Sequence, residues 1–390
     1  MATTLNDIIT LVNDRRRDAT SESVDMAADG FRAINGALQL WNQGHDWAWQ
    51  AETTEIVYNN GIDTYALPAT LNFKAIKDIR PRKADNREID YLSAGRFDSD
   101  VNHTYKCAVK VEDQKTYLRL KYTGYSTIVN QANSVSENGT WAGASAISNV
   151  EKDEYESFSQ TSSISFDYSG TSGTLTNDSF TPVNLSRYKN RSTVYFDIYL
   201  THVTDFTSVT VKLGSSASDY VTAAITTDYL GNSLVNGWNR LSFTWDGSTT
   251  VVGTPDASVV NYLQFTIAYS SDPGTLANRI ENVFISENVP ITLEYYSNNM
   301  TYDSSAGVDA QVFTDATATG DPTLWSGEWD WVNESFVNSV IEIIAWMTGE
   351  TQDRDIAVQR INGFVNELKT KIPSKRRYPK IHMGPDINVV

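Results

Sequence analysis

The side chains best suited to metal binding and nucleophilic catalysis are few in this chain and lie far apart in sequence. No histidine has a partner at the spacing that zinc sites use; the four are His45, His103, His202 and His382. Cys107, the single cysteine, is expected to be a small core residue. The sequence contains no serine-hydrolase motif, no phosphate-binding loop of the kind that binds nucleotides, and no zinc-protease motif. The sequence therefore predicts no metal, no cofactor and no enzymatic activity, although the many carboxylates leave a glycosidase pair open.

Aromatic residues between 131 and 290 offer a second kind of chemistry, which is stacking on sugar rings. The candidate glycan-binding residues are Trp141, Tyr155, Trp238, Trp245 and Tyr269. The alternative is that these rings fill the core of a β domain, and for Trp238 the core is the favoured interpretation. The segment 279–286 resembles the closing strand of carbohydrate-binding jelly rolls, where an acidic residue at the position of Glu281 often helps to hold calcium.

A basic run near the end of the chain offers a third kind of site. It follows Pro373, and the candidate docking residues are Lys375, Arg376, Arg377, Tyr378, Lys380 and Ile381. A short run of charge is commonly just solvated. Its place on a proline-interrupted tail after the last helix nevertheless favours docking on a partner protein.

Composition excludes some functions for the chain as a whole. Its net charge of -17 over 390 residues repels phosphate backbones, so sequence-independent binding to nucleic acid is not expected. The hydrophobic fraction of 40% is enough for the cores of two or three domains. The first residues lack a basic stretch followed by an apolar one, and no apolar run approaches about 18 residues. We therefore expect neither an export signal nor a membrane span.

Amphipathic helices are predicted near both ends of the chain. Apolar residues recur at three- and four-residue spacing over about 5–17, 24–43, 336–348 and 356–368. Thr4 is the predicted cap of the first helix, with Asp7 at the capping-box position. Ser23 is the predicted cap of the second helix, and either Thr351 or Asp353 is that of the last. Helices from the two ends are expected to pack as one bundle.

Alternating apolar and polar residues predict strands between the helices. A hairpin is predicted from 52–58 and 64–68 around the turn Asn59-Asn60-Gly61. The segments 115–129 and 290–296 are expected to pair in one small sheet, with a whole domain inserted in the loop that joins them.

Ser, Thr, Asn and Gly dominate the inserted region, and its short alternating strands indicate a sandwich or jelly roll. The predicted fold class is α+β, with a helical bundle, a small antiparallel sheet built from both chain ends, and an inserted all-β jelly-roll or sandwich domain. The predicted domains are the helical-bundle domain (1–130 with 290–370), the β-sandwich (131–289) and an extended C-terminal docking tail (371–390).

Several short segments outside the β region occur in a recognisable order. They are Leu38-Gln-Leu-Trp41, Trp47-Ala-Trp49, Gly61-Ile-Asp-Thr-Tyr-Ala-Leu-Pro68, Leu293-Glu-Tyr-Tyr296 and the final helix pair with its tail. Over roughly 1–130 and 290–390 the chain resembles the head-to-tail adaptor proteins of tailed bacteriophages (connectors, or tail tubular protein A-like neck proteins). The resemblance implies a ring, usually twelvefold, beneath the portal protein, with the C-terminal tail reaching into the portal.

This resemblance implies a structural protein of the virion neck, assembled in the host cytoplasm. Its partners would be the portal protein, tail or nozzle proteins, and further copies of itself through interfaces that close into a ring. Genomic DNA would pass through the negatively charged channel of the ring without sequence-specific binding. The β domain is expected on the outer rim, where tail fibres or glycans are its possible partners. The alternative is a glycan-binding virion protein whose β-sandwich recognises host or environmental carbohydrate.

Overall fold

The computed structural model describes residues 4–19, 30–67, 73–81, 89–99, 105–112, 115–303, 308–310, 312–313, 323–324, 330–348 and 353–371. The helices are α1 (Leu5–Ala19), α2 (Phe31–Gly44), α3 (Ala94–Ser99), α4 (Asp330–Met347) and α5 (Arg354–Lys371). The strands are β1 (Ala51–Tyr58), β2 (Thr64–Ala66), β3 (Phe73–Pro81), β4 (Asp90–Tyr91), β5 (Lys106–Glu112), β6 (Lys115–Lys121), β7 (Ser126–Asn130), β8 (Trp141–Asp153), β9 (Ser163–Asn177), β10 (Ser192–Leu200), β11 (Phe206–Ser216), β12 (Asp219–Ile225), β13 (Gly237–Trp245), β14 (Thr250–Val252), β15 (Tyr262–Tyr269), β16 (Leu276–Glu287), β17 (Val289–Ser297), β18 (Thr301–Asp303), β19 (Val308–Ala310) and β20 (Thr323–Leu324). The described chain is therefore mainly β.

Contacts divide the chain into two compact units. The first comprises Met1–Glu55, Pro68–Arg80 and Thr292–Val390, and the second comprises Ile56–Leu67 and Pro81–Ile291. The second unit is larger than the predicted insertion of 131–289, because it also holds β2 and β4 to β6.

The helix starts follow from local hydrogen bonds. The Thr4 N–H donates to the Asp7 carboxylate over 2.9 Å, and the Asp7 N–H donates to the Thr4 hydroxyl over 3.1 Å. This reciprocal pair is the predicted capping box. At α5 the Asp355 N–H donates to the Asp353 carboxylate over 2.9 Å, so Asp353 is the cap. The predicted cap Ser23 lies outside the described residues.

Within the first unit, α1, α2, α4 and α5 share one buried apolar cluster. Trp41 lies within it, with its ring 5.4 Å from the Trp47 ring and 5.4 Å from that of Phe336. Its indole N–H donates to the Ser339 hydroxyl over 2.9 Å. A buried indole needs such an acceptor, so Ser339 fits a helix face that is otherwise apolar. No helix among the described residues has the length and apolarity needed to cross a membrane.

The small sheets pair differently from the prediction. β17 lies between β1 and β3, whereas β6 lies between β2 and β5. The predicted pairing of 115–129 with 290–296 is therefore wrong. The predicted hairpin is wrong too, because β2 pairs with β6 and β1 with β17. Alternation predicts which face of a strand is apolar, but it does not specify the partner strand.

The β-sandwich predicted in the middle of the chain is confirmed. Its ten strands form one hydrogen-bonded sheet in the order β13-β10-β16-β9-β15-β11-β12-β14, with β7 paired to β16 and β8 to β9. β9 belongs to both layers, because 164–168 pair with β16 and 172–177 pair with β15. Between these halves Gly170 has φ +127°, a conformation that favours glycine.

One apolar cluster fills the sandwich between its two layers. At its centre the Phe265 side chain is fully buried, and its ring lies 5.0 Å from that of Phe196 and 6.2 Å from that of Trp141. Because Phe196 and Phe265 come from strands of different layers, their contact helps to hold the layers together.

Replacing Phe265 with Ala should lower the free energy of unfolding of the β domain by about 3–5 kcal/mol, because truncating a buried aromatic ring leaves a cavity. Hydrogen exchange of peptides from β10 and β15, followed with increasing denaturant, measures this loss. Val259→Ala is the control, since Val259 is 45% exposed. Equal protection in the two variants would contradict the assignment of Phe265 to the core.

Candidate functional site

Three of the predicted sugar-stacking residues lie in the sandwich core. Trp141, Trp245 and Tyr269 are 2%, 3% and 4% exposed and belong to its apolar cluster. A ring enclosed by core side chains presents no face to a ligand. The glycan-contact prediction is therefore wrong for these three, and the alternative core interpretation applies to them.

Trp238 lies outside the core cluster, contrary to the favoured interpretation. It pairs in register with Tyr199 of β10, which pairs in turn with Arg279 of β16. The neighbours of Tyr199, Ile198 and Leu200, belong to the core, so alternation directs Tyr199 to the outer face. We call Trp238, Tyr199 and Arg279 the aromatic row.

The members of the aromatic row contact one another. The rings of Tyr199 and Trp238 are 5.6 Å apart and nearly perpendicular, at 75°. The Arg279 guanidinium lies 5.0 Å from the centre of the Tyr199 ring. Edge-to-face packing and a cation over a ring are both favourable for the aromatic quadrupole, so the row is held in one arrangement.

The next row along the same face is charged, and we call it the charged row. It consists of Arg240, Asp197 and Glu281, in register across the same three strands. Asp197 and Glu281 are fully buried. The Arg240 guanidinium donates to both oxygens of the Asp197 carboxylate, over 2.7 and 2.9 Å. Burial alone would lower the pKa of Arg240, but these hydrogen bonds raise it above its ordinary value.

The loop between β8 and β9, residues 154–162, lies over the charged row. The backbone N–H groups of Phe158 and Ser159 donate to the Glu281 carboxylate over 3.0 and 2.5 Å. The Ser159 hydroxyl also contacts Glu281, over 2.9 Å. These donors replace the water that a buried carboxylate has lost. Glu281 thus anchors the loop, and no group of acidic, histidine or cysteine residues fit to hold a metal occurs in the described part of the chain.

Asp153 joins this loop to the aromatic row. One of its oxygens accepts the backbone N–H groups of Tyr155 and Glu156 over 2.9 and 3.2 Å. The other accepts the Arg279 guanidinium over 2.7 Å. Burial would raise the pKa of Asp153, but the hydrogen bonds from Tyr155, Arg279 and Glu156 lower it below its ordinary value.

The loop adds two exposed rings to this end of the sheet. Phe158 is 56% exposed, and its ring lies 6.1 Å from that of Trp238 at an angle of 33°. Tyr155, one of the predicted glycan-binding residues, is 96% exposed. We call the aromatic row together with Tyr155 and Phe158 the aromatic patch.

Tyr155 and Trp238 are the two members of the patch that were among the predicted glycan-binding residues, whereas Phe158, Tyr199 and Arg279 were not predicted from the sequence. The alternation of β10 contained the signal for Tyr199, which follows an apolar residue and precedes another. Nothing in the sequence of the loop indicates that Phe158 lies beside Trp238, because that contact depends on the anchor at Glu281.

The other end of the same face is closed. The Tyr195 and Phe284 rings stack 5.2 Å apart, and the Tyr195 hydroxyl donates to the Asn59 side chain over 2.8 Å. Ile62 and Tyr65 pack on the same pair of rings. The turn after β1 therefore covers this end, whereas the aromatic patch lies at the end that the turn leaves open.

The predicted docking residues of the C-terminal tail lie outside the described residues. They are Lys375, Arg376, Arg377, Tyr378, Lys380 and Ile381. Their role stays a prediction.

Comparison with protein-family models and with curated proteins gives no match. Among solved structures, the chain is similar to the family 30 carbohydrate-binding module of a cellulosomal cellulase of Clostridium thermocellum, at 12% identity and a TM-score of 0.32, over 42% of this chain and 98% of that one. A carbohydrate-binding module of the β-sandwich superfamily is similar at 9% identity and a TM-score of 0.29, over 59% and 96% of the two chains. Identities and scores this low transfer neither a ligand nor a function.

The hydrogen bonds that hold the start of the loop to the Asp153 carboxylate should be lost only in acid. Because its pKa is lowered in the folded protein, its contribution to holding the loop is complete above the unfolded pKa of about 3.9 and is lost as the pH falls through the folded value. Hydrogen exchange of 154–162 should be constant from neutral pH down to about pH 5, after correction for the intrinsic rate, and should rise below about pH 4. Asp153→Asn should raise the exchange at Tyr155 and Glu156, at the start of the loop, already at neutral pH. Wild-type protection that persisted in acid would contradict the assignment.

Proposed function

We propose that the β domain binds carbohydrate at the aromatic patch. The observation that carries the proposal is the aromatic row at the open end of the sheet, extended by the exposed ring of Phe158. A pyranose ring presents C–H groups on its faces and hydroxyl groups around its edge. Aromatic rings pack against the C–H groups, and fixed polar groups form hydrogen bonds with the hydroxyl groups.

The patch provides both kinds of group at one place. Trp238, Tyr199 and Phe158 supply ring surface, while Arg279 and Asp153 supply a charged donor and acceptor beside it. The Arg279 guanidinium is fixed from two sides, by the Asp153 carboxylate and by the Tyr199 ring. Groups that are already ordered lose less conformational entropy when a ligand binds, which favours affinity from a small surface.

Trp238→Ala should weaken binding to a glycan that the wild-type chain retains by about 30-fold or more, since truncating a central aromatic residue of a binding surface commonly costs about 2 kcal/mol or more. Tyr125→Ala is the matched control, because Tyr125 is 58% exposed and neighbours Glu287, at the opposite end of β16 from Arg279. Glycan arrays identify the ligand, and titration calorimetry measures the change.

Equal weakening by both substitutions would place the binding surface elsewhere. A wild-type chain that retains no glycan on the arrays contradicts the proposed function itself. Phe158→Ala gives an independent check, because it removes an exposed loop ring without touching a strand.

A second candidate is the head-to-tail adaptor of a bacteriophage virion, with a helical bundle that forms a ring against the portal. The observation that favours it is that α1 and α2 share one apolar core with α4 and α5, from the opposite end of the sequence. In this proposal the tail 371–390 docks into the portal, and the β domain supplies glycan binding at the virion surface. The two candidates are compatible, because they use different units of the chain.

A chain truncated after Ile372 should no longer recover portal protein from lysed producing cells, whereas the full chain should recover it. Trp238→Ala should retain the portal, because that substitution lies in the β domain. Mass spectrometry of the captured proteins distinguishes the outcomes. Failure of the full chain to associate with any portal or tail component contradicts the adaptor proposal and leaves glycan binding in place.

A further inference from the structure

We infer that the aromatic patch takes a short stretch of uncharged glycan, of about two or three sugar rings, and not a long chain laid across the sheet. The row spans three neighbouring strands, so two inter-strand spacings of about 4.8 Å make its stacking surface about 10 Å long, which is room for about two rings, and the exposed loop ring extends it by one. Beyond Arg279 the register continues to Ser165 on β9 and Glu151 on β8, and neither residue has a ring on which a sugar could stack. This inference rests on the proposed carbohydrate binding and adds the length and charge of the ligand.

The charged row blocks the direct route from the patch along the sheet face. The side chains of Asp197 and Glu281 are fully buried beneath residues 158 and 159 of the loop. A sugar ring at this position would have to displace the loop and leave the Glu281 carboxylate without its three hydrogen bonds. Leaving a buried charge without partners is strongly unfavourable, so the loop stays in place.

On the far side of the loop, the same sheet face is covered by the turn after β1. Tyr195 and Phe284 are 4% and 7% exposed, and the turn at 59–65 covers them. A Cβ atom at Gly61 would lie 3.3 Å from the Phe284 ring, so the turn packs closely on the face. On this side of the aromatic row, no second subsite is therefore open among the described residues, and sugar rings added in this direction would project into solvent.

The charges around the patch favour an uncharged ligand. Arg279 and Arg240 are each paired with a carboxylate of the site, and Lys152 pairs with Glu154 over 2.9 Å. Glu151 and Glu156, on the strand and loop beside the patch, are exposed. An anionic sugar would have to compete with Asp153 for Arg279 and would approach a chain of net charge -17.

The test is titration calorimetry of the full chain with oligosaccharide ladders, which are series of oligomers that increase in length from one to six sugar rings. The neutral ladders are cello-, manno- and xylo-oligosaccharides, and the anionic ladder is oligogalacturonate at low ionic strength. For the ladder that binds, the affinity should rise up to two or three rings and then stay within about twofold through six. Any oligogalacturonate should bind at least about tenfold more weakly than the neutral oligomer of equal length.

The outcomes separate this inference from the proposed function. Affinity that keeps rising to six rings, and is lost in Trp238→Ala, overturns the short site while carbohydrate binding stands. Oligogalacturonate that binds as tightly as the neutral oligomer overturns the uncharged ligand. If none of the ladders and no glycan on the arrays binds, the proposed function fails and the inference fails with it.

Discussion

Two buried carboxylates govern the organisation of the outer sheet face, because each must be hydrogen-bonded once it has left water. Asp197 is satisfied by the Arg240 guanidinium on the neighbouring strand. Glu281 is satisfied instead by the backbone and hydroxyl of the loop between β8 and β9. An uncompensated carboxylate at this depth would be strongly destabilising, and this requirement holds the loop against the sheet.

The position of the loop decides which rings reach solvent. With the loop anchored at Glu281, Phe158 packs beside Trp238, and its ring stays more than half exposed. Asp153 fixes the start of the same loop and the Arg279 guanidinium together. The loop thus covers the middle of the face and adds ring surface at its end.

The helical unit depends on a different constraint, which is the burial of tryptophan. Trp41 packs between Trp47 and Phe336, while its indole N–H reaches Ser339 on α4. The Trp47 indole N–H in turn donates to the Trp41 carbonyl over 3.0 Å. Both large rings are buried with their polar atoms satisfied, so elements from distant parts of the sequence share one core.

The sequence by itself determined the local elements and the main β architecture. Helical periodicity predicted the long helices α1, α2, α4 and α5 of the described residues, and the hydrogen bonds at Thr4 and Asp353 agree with the cap predicted for α1 and with one of the two caps predicted for α5. These features depend on neighbours three or four residues apart, so a single sequence contains their signal. The alternation that predicted the sandwich is equally local.

The candidate site could be predicted from the sequence only in part. Trp238 and Trp245 lie on the same strand seven residues apart, and an odd separation places them on opposite faces. Alternation therefore already showed that they do not share a surface. Which of the two faces the core depends on the layer packed against β13, which no local pattern specifies.

Only the tertiary structure decided strand partners and the composition of the patch. β17 pairs with β1 and β3 instead of β6, because pairing depends on the folding of the whole chain between them. Phe158 and Trp238 are eighty residues apart in sequence and meet only because Glu281, a third distant residue, holds the loop. Contacts that depend on the desolvation of a remote charge have no signature in the sequence around them, and for this reason the aromatic patch emerges only from the folded chain.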